Sequence, residues 1–429
     1  MAASRTVRPL GHPPDAVVAV PGSKSITNRA LVCATLASGA SSLSGVGRSD
    51  DTDAMLGCVA RLGADVRIDQ AGDTALVVGT AGVLRPGPVE LDTGLAGTTS
   101  RFVTALAALG RGRYRIDGEP PLRARPMGPL HAALGTLGAK IEPEGEWGHL
   151  PVVLHAHGLR GGTVALPGDV SSQFVTALML VAPAIDGGLT IDLTSPLVSR
   201  PYLGLTAAVM ESFGVDDVSV GDRQVRVGAG RYRRAAYAVE PDASSASYLW
   251  AAAAITGGRV LVPGLGPASL QGDVAFVDVL ARMGAEVERG TDGVAVRGTG
   301  RLRGVDVDLR DCSDAVPTLA AVACFADSPT RISGVGFIRT KETDRIGSLV
   351  AELQRCGVDA QEEPDGLVVR PVSGAPRAAR VRTYHDHRMA MALALLGLRV
   401  PGIEIEEPDV VAKSFPTFWS ALGGLDSSE

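Results

Sequence analysis

Lysine is scarce in this chain, so the few lysines present are candidates for special chemistry. The 429 residues contain 41 lysines and arginines, of which only four are lysine: Lys24, Lys140, Lys341 and Lys413. Lysine is a compact point charge that can shift its pKa and pass a proton, whereas arginine stays charged. Three of the four, all except Lys140, lie in dense polar motifs. That placement favours a role in binding or proton transfer over chance retention on the surface.

Arginines accompany these lysines in motifs that lead directly into apolar segments. The Ser, Thr and Asp residues of such motifs are expected to cap helices. Capping does not explain the cations, because a helix N-terminus repels positive charge unless an anion offsets it. The cations concerned are Lys24, Arg29, Arg101, Arg125, Arg200, Lys341, Arg345, Arg388 and Lys413. We therefore predict that helix N-termini converge on a site for several anions, between two lobes.

The same pattern of elements recurs six times along the chain. Each unit has a polar cluster, an apolar helix and a glycine that is expected to end a helix before a strand. These glycines follow one another at intervals of 66 to 76 residues, at Gly63, Gly138, Gly214, Gly284, Gly357 and Gly423. A unit of this kind cannot bury its apolar face alone, so the units must pack together. The repeat predicts six βαβαββ units.

Several predicted helices are apolar on every side, including those at 174–185, 248–255 and 389–396. Such helices are buried all round, and 429 residues are too many for one hydrophobic core. We predict an α/β fold: a two-domain inside-out α/β barrel, each domain built of three βαβαββ repeats with buried helices and outer sheets. One lobe would be 22–241, and the other would join 1–21 to 242–429.

Composition excludes several classes of function. Apolar residues make up 45% and charged residues 21% of the chain, which is typical of a soluble globular protein. No apolar run is long enough to span a membrane, and a net charge of −6 without a basic run argues against nucleic-acid binding. The five scattered cysteines, without a CxxC pair, favour a reducing cytoplasm and no zinc site. The 385–387 cluster is a poor metal site, since Arg388 would repel a cation.

Ten collinear motifs resemble those of 5-enolpyruvylshikimate-3-phosphate synthases, and together they cover nearly the whole chain. They are PGSKSITNRA at 21–30, LAGTTSR at 95–101, DGEPPLRARPM at 117–127, SSQ at 171–173, LVSRPY at 197–202, EPDASSA at 240–246, DCSD at 311–314, KETDR at 341–345, DHRMAM at 386–391 and KSFP at 413–416. The resemblance implies transfer of the enolpyruvyl group of phosphoenolpyruvate to the 5-hydroxyl of shikimate 3-phosphate. Phosphate would be released by addition and elimination through a tetrahedral intermediate, in the shikimate pathway of aromatic amino-acid biosynthesis.

This reaction needs a base at the alcohol, an acid at C3 of phosphoenolpyruvate, and cations around a carboxylate and two phosphates. The resemblance implies Asp314 as the base. It implies Glu342 as the acid, with Lys24 as the alternative. His387 could shuttle protons. No metal or cofactor is implied.

The resemblance also assigns substrate contacts. Shikimate 3-phosphate would be held by Lys24, Ser25, Arg29, Ser171, Ser172, Gln173, Ser199, Arg200, Tyr202, Asp314 and Lys341. Phosphoenolpyruvate would be held by Lys24, Gly97, Arg125, Gln173, Arg345, Arg388 and Lys413. Gly97 would allow the close approach of backbone to phosphoenolpyruvate. We expect a monomer whose lobes close on shikimate 3-phosphate.

Two alternatives remain. The first is a related enolpyruvyl transferase with a different alcohol acceptor, because this chain has Phe337 to Thr340 where the family usually has Asn before Lys341. The UDP-N-acetylglucosamine enolpyruvyl transferases fit less well, since they carry Lys-Asn at Lys24-Ser25 and usually a cysteine near Pro120. The second alternative is a non-catalytic anion-binding protein. The presence of the candidate acid and base residues argues against it.

Overall fold

The chain passes twice between two structural units. In the computed structural model, residues 22–240 form the first unit, and residues 1–21 with 241–429 form the second unit. The second crossing therefore lies one residue before the predicted boundary. The structure describes residues 3–371, 374 and 376–426, so the two ends of the predicted second lobe, 1–2 and 427–429, lie outside the described residues.

Helices in the described part of the chain are mostly short and lie between strands. They are α1 (Lys24–Leu36), α2 (Asp50–Arg61), α3 (Gly97–Ala108), α4 (Pro120–Arg123), α5 (Gly128–Thr136), α6 (Ser172–Val181), α7 (Pro201–Ser212), α8 (Ala243–Thr256), α9 (Phe276–Met283), α10 (Val316–Ala323), α11 (Arg345–Arg355), α12 (His387–Gly397) and α13 (Phe418–Gly423). Short 3₁₀ helices at Ser313–Ala315, Gly336–Thr340 and Pro408–Lys413 also carry candidate site residues or lie beside them.

Strands alternate with these helices. They are β1 (Ser4–Thr6), β2 (Asp15–Val17), β3 (Ala40–Ser44), β4 (Asp65–Ile68), β5 (Thr74–Val78), β6 (Val89–Asp92), β7 (Arg111–Asp117), β8 (Lys140–Pro143), β9 (Val152–His157), β10 (Gly162–Leu166), β11 (Leu189–Leu193), β12 (Val218–Val220), β13 (Gln224–Val227), β14 (Ala236–Ala238), β15 (Arg259–Pro263), β16 (Glu286–Arg289), β17 (Gly293–Arg297), β18 (Asp306–Asp308), β19 (Thr330–Ser333), β20 (Asp359–Glu363), β21 (Gly366–Arg370), β22 (Arg380–Val381) and β23 (Glu404–Glu406).

The first unit contains three four-stranded sheets, ordered β14-β3-β5-β4, β6-β7-β9-β8 and β10-β11-β13-β12. In the second of these, β6 and β7 are parallel, with Val89 opposite Tyr114, while β7 and β9 are antiparallel. The helix α3 connects the parallel pair, and β8 and β9 follow as an antiparallel pair. This order is the predicted βαβαββ repeat.

In its described residues, the second unit contains two four-stranded sheets, β16-β17-β15-β2 and β18-β19-β21-β20, and one three-stranded sheet, β1-β23-β22. The sixth repeat therefore differs from the prediction. Its glycine, Gly423, is the last residue of α13 and precedes a 3₁₀ helix instead of a strand. The N-terminal strand β1 occupies the sheet position next to β23, with Ser4 opposite Glu406. Strand β1, near the N-terminus, thus belongs to the same sheet as β22 and β23, near the C-terminus.

Helices fill the interior of each unit, as the apolar segments predicted. Residues 243–255 of α8 and all of α12 are buried, and strands such as β3 bury alternate residues only. Each unit has its own cluster of buried apolar side chains. The helix predicted at 174–185 ends earlier, at Val181. A 3₁₀ turn containing Pro183 follows, because proline cannot supply a helical N–H.

The first five repeat glycines have a backbone that favours glycine. Their φ angles lie between 78° and 115°, a left-handed conformation that ends a helix without the steric cost of a Cβ. None of the helices in the described residues combines the length and apolar character needed to cross a membrane.

Candidate active site

In the first unit, side-chain bonds join the first turns of four helices. Nε2 of Gln173 in α6 donates to Oγ1 of Thr98 in α3 at 3.3 Å. Oγ1 of Thr99 donates to the carbonyl of Asp51 in α2 at 3.1 Å, and Nζ of Lys24 in α1 donates to Oδ2 of Asp51 at 2.7 Å. These N-termini therefore lie side by side, which concentrates free N–H groups and positive helix ends where an anion is stabilised.

Lys24 and Asp51 form a largely buried ion pair, with side chains 14% and 3% exposed. Sequence analysis identified Lys24 and missed Asp51. The available indication was a carboxylate in the first turn of α2, which is favourable at a helix N-terminus. Removing one partner of such a pair leaves the other charge buried and uncompensated, so Asp51 belongs to the site through its contact with Lys24.

Arg29 is a buried cation that has no acidic partner among the described residues. Its Nε donates to Oγ1 of Thr206 at 2.8 Å, and Nη1 donates to the carbonyl of Ser25 at 2.7 Å. The guanidinium also lies 5.4 Å from the ring of Phe102 and 5.7 Å from that of Tyr202. Burial lowers the pKa of Arg29 to about 10, which leaves it charged at neutral pH. A buried charge of this kind favours an anionic ligand.

Gly97 and Arg125 are in close contact. A Cβ added to Gly97, the first residue of α3, would lie 2.5 Å from Nη1 and 2.8 Å from Cζ of Arg125. Arg101 links the segments of Gly97 and Arg125, because it donates to the carbonyls of Gly97 and Pro126 at 3.0 Å each. A side chain at position 97 would force the buried guanidinium of Arg125 to shift.

Residues 171–173 form the N-terminus of α6. Oγ of Ser171 accepts from the N–H of Gln173 at 3.3 Å, so Ser171 is the predicted cap. Ser172 is buried beside it.

Ser199 and Arg200 lie just before α7. Ser199 has a φ of 54°, a left-handed conformation that costs a non-glycine residue about 1 kcal/mol or more. Strain of this kind often accompanies functional sites. Arg200 forms an ion pair with the exposed Asp222. The structure thus places Ser199 in a buried, strained turn and Arg200 at the surface.

In the second unit, one arginine binds three carboxylates. Nε of Arg345 lies 2.7 Å from Asp386, Nη2 lies 2.6 Å from Glu342, and Nη1 lies 3.1 Å from Asp314. The Arg345 side chain is only 2% exposed. Burial alone would lower the pKa of Arg345, but the three carboxylates together raise it above its ordinary value. Arg345 thus holds the candidate base and the candidate acid at fixed positions.

Arg388 binds the other oxygen of Asp314. Its Nη2 lies 2.6 Å from Oδ2 of Asp314, and its Nη1 donates to the hydroxyl of Tyr248 at 3.5 Å. The backbone N–H of Arg388 donates to Asp386, the N-cap of α12. Asp314 therefore lies between two guanidinium groups while its side chain stays 24% exposed. A carboxylate held this way is oriented and still accessible to a substrate proton.

Asp273 is a second buried carboxyl near this cluster, and sequence analysis did not identify it. It accepts a hydrogen bond from Ser244 Oγ. Burial, and then the charge of Asp314, raise the pKa of Asp273 to about 6. This effect depends on packing across three segments, which no local motif reveals.

The remaining candidates lie on neighbouring segments of the second unit. Nζ of Lys341 lies 5.7 Å from the ring centroid of Phe337. His387 begins α12, and its Nδ1 lies 3.5 Å from Oδ1 of Asp386. Lys413 is buried at the end of a 3₁₀ helix. Among the described residues, no group of His, Cys, Asp and Glu side chains could hold a metal ion.

This combination of an inside-out α/β fold with Asp314 and Glu342 bound to the buried Arg345 is that of a two-domain transferase. The chain belongs to the family described as EPSP synthase (3-phosphoshikimate 1-carboxyvinyltransferase), whose model matches residues 11–422.

Similar proteins of known name support this assignment. A 3-phosphoshikimate 1-carboxyvinyltransferase of Nostoc punctiforme is 44% identical over 412 residues, covering 96% of each chain. One of Syntrophobacter fumaroxidans is 42% identical over 425 residues, covering 99% of this chain and all of its own. The solved structure of EPSP synthase from Acinetobacter baumannii superposes with a TM-score of 0.83 at 24% identity, covering 98% of this chain and 97% of that one. At this level of sequence identity, the similarity to the solved structure is evidence for the fold alone.

Proposed function

We propose that this chain transfers the enolpyruvyl group of phosphoenolpyruvate to the 5-hydroxyl of shikimate 3-phosphate and releases phosphate. Its membership of the family supports the proposal. The structural observation that carries it is the arrangement around Arg345, whose Nη1 and Nη2 bind Asp314 and Glu342 at 3.1 and 2.6 Å. The candidate base and the candidate acid are thereby held on one buried guanidinium, and Glu342 must take up a proton before it can act as the acid.

Asp314 accepts the proton of the 5-hydroxyl while that oxygen bonds to C2 of phosphoenolpyruvate. Glu342 delivers a proton to C3, which gives a tetrahedral intermediate with a methyl group. In the elimination step C3 returns a proton to the carboxylate of Glu342, the proton taken up by Asp314 leaves with phosphate, and the C2–O bond to phosphate breaks. The products are the enol ether and inorganic phosphate, and both carboxyl groups regain their starting states. Lys24 is the alternative proton donor at C3. Charge on the phosphate is stabilised by fixed cations that need no reorganisation.

Two buried arginines of the first unit support the assignment of anionic substrates. Arg29 has no carboxylate among the described residues, and the guanidinium of Arg125 lies against the N-terminus of α3. The residues proposed to bind shikimate 3-phosphate are Lys24, Ser25, Arg29, Ser171, Ser172, Gln173, Ser199, Arg200, Tyr202, Asp314 and Lys341. The residues proposed to bind phosphoenolpyruvate are Lys24, Gly97, Arg125, Gln173, Arg345, Arg388 and Lys413. His387 is proposed as a proton shuttle. Because one chain carries the complete set, we propose that it acts as a monomer.

The proposal is tested with purified protein, phosphoenolpyruvate and an acceptor, by following phosphate release. Release that requires both phosphoenolpyruvate and shikimate 3-phosphate supports it. Release with UDP-N-acetylglucosamine but not with shikimate 3-phosphate would instead identify a transferase for another alcohol. No release with shikimate 3-phosphate would refute the proposed function.

A further inference from the structure

An aromatic ring faces the ammonium group of Lys341. Nζ of Lys341 lies 5.7 Å from the ring centroid of Phe337, within the range of about 6 Å over which a cation is attracted to a ring face. Both side chains are half-buried, so water screens the contact only in part. Phe337 also lies in the segment that departs from the usual family sequence, and none of the assigned substrate contacts includes it.

The segment that presents this ring is held in place along its length. At its start, the N–H of Gly336 donates to Oδ1 of Asp365 at 2.7 Å. In its middle, Nη1 of Arg339 donates to Asp344 and to Glu362, at 2.8 Å each. These bonds tie the 3₁₀ helix Gly336–Thr340 to the N-cap of α11 and to strand β20. The ring is therefore presented by a fixed backbone.

Bonds within the segment also fix the spacing between Phe337 and Lys341. Oγ1 of Thr340 donates to the carbonyl of Phe337 at 3.1 Å, and the N–H of Lys341 donates to the carbonyl of Ile338 at 3.3 Å. These bonds fix the backbone positions of Phe337 and Lys341 relative to each other. The contact with the ring then acts on the rotamers of the lysine side chain.

We propose that Phe337 is a positioning residue that holds the ammonium group of Lys341 in place for the phosphorylated acceptor. A lysine loses much rotamer freedom when it binds, and a ring that restricts it beforehand reduces that loss. The ring face takes up none of the ammonium's hydrogens in ordinary hydrogen bonds. The inference rests on the proposed function, in which Lys341 binds shikimate 3-phosphate.

The test compares Phe337→Leu, which removes the ring, with Phe337→Tyr, which keeps it. For Phe337→Leu we expect KM for shikimate 3-phosphate to rise about two- to fivefold, with kcat and KM for phosphoenolpyruvate unchanged. Phe337→Tyr should keep the KM of the wild type. A general disturbance of the segment would instead alter kcat and KM for phosphoenolpyruvate, because Glu342 and Arg345 follow directly.

A matched control lies elsewhere in the second unit, where Arg399 stacks on the ring of Phe325 at 4.7 Å. Phe325→Leu removes a similar contact and should leave all three constants unchanged. Phe337→Met provides a second ring-free variant if Phe337→Leu does not fold. In the Lys341→Met background, replacing Phe337 should have no further effect on the Kd for shikimate 3-phosphate, because the partner of the ring is gone.

The outcomes separate this inference from the proposed function. An active wild type whose KM for shikimate 3-phosphate is the same in the ring-free variants overturns the role of Phe337 and leaves the proposed function standing. An equal change of Kd with and without Lys341 overturns it as well. A wild type that releases no phosphate with both substrates overturns the proposed function, and with it this inference.

Discussion

Oδ2 of Asp314 lies 2.6 Å from Nη2 of Arg388, which joins the candidate base to a proposed ligand of phosphoenolpyruvate. The other oxygen of Asp314 faces Arg345 at 3.1 Å. With both oxygens held, the carboxylate has little freedom to rotate. The carboxylate is therefore oriented, and it can act as the general base if the 5-hydroxyl binds within hydrogen-bond reach of it.

Asp314→Asn removes the proton acceptor while keeping the size of the side chain. We expect kcat to fall by about 10²- to 10⁴-fold, the usual contribution of a positioned base, with smaller changes in KM for either substrate. Asp311→Asn is the matched control, because Asp311 lies in the same motif and is exposed. Steady-state kinetics on both variants provide the check. Near-normal turnover by Asp314→Asn would contradict its role as the base.

Glu342→Gln and Lys24→Met distinguish the two candidate proton donors. If Glu342 is the acid at C3, Glu342→Gln should lower kcat by about 10²-fold or more. Lys24→Met should then mainly raise KM for the substrates, because it removes a binding charge. The same steady-state assay measures both. The reverse pattern would assign proton delivery to Lys24 and contradict the role given to Glu342.

Gly97→Ala should weaken phosphoenolpyruvate binding, because the new Cβ would lie 2.5 Å from Nη1 of Arg125 and force the guanidinium to move. We expect KM for phosphoenolpyruvate to rise about tenfold, equivalent to about 1.4 kcal/mol. Gly57→Ala, in the exposed part of α2 with open space around it, should stabilise the fold by about 0.5–1 kcal/mol and leave KM unchanged. An unchanged KM in Gly97→Ala would contradict the prediction that the position of the Arg125 guanidinium beside Gly97 matters for binding this substrate.

His131 predicts a pH dependence of stability. It is fully buried, and neither ring nitrogen has a hydrogen-bond partner among the described residues. Burial, and then the charge of Arg101, lower the pKa of His131 to about 4. An unfolded histidine titrates near 6.5, so below that pH the unfolded chain binds a proton that the folded chain rejects. The contribution of His131 to stability therefore falls as the pH drops from about 6.5 to about 4.

His131→Leu should remove this loss of stability at low pH. Between pH 7 and pH 5 we expect the free energy of unfolding of the wild type to fall by about 2 kcal/mol more than that of the variant. Urea unfolding at pH 5, 6 and 7 measures the difference. His157→Gln, at an exposed position in β9, should follow the wild type. Equal slopes for wild type and His131→Leu would show that the histidine titrates normally in the folded state.

The repeat could be predicted from the sequence because each copy has a local cause. The left-handed backbone conformation at Gly63, for example, favours glycine whatever tertiary contacts surround it. The sixth copy was predicted wrongly at Gly423, since its sheet is completed by β1 from the other end of the chain. Pairing between such distant strands leaves no local pattern.

The same distinction applies to the candidate site. Polar motifs at helix starts identified Lys24, Asp314 and Arg345, because a cation or a carboxylate at such an end has a local electrostatic meaning. The partners Asp51 and Asp386 depend on which helices pack together. Lys24 meets Asp51 only because α1 packs on α2, and no spacing along the chain encodes that contact.

The central claim is that enolpyruvyl transfer proceeds by addition and elimination, and proton NMR of the reaction in D₂O tests it most directly. With wild-type protein, phosphoenolpyruvate and shikimate 3-phosphate, we predict a vinyl enol ether of shikimate 3-phosphate together with equimolar phosphate. Deuterium should enter the vinyl group, because C3 becomes a methyl group in the intermediate and then loses one of its three hydrogens. Phosphate release that yields pyruvate, or an enol ether with no deuterium, would contradict the account.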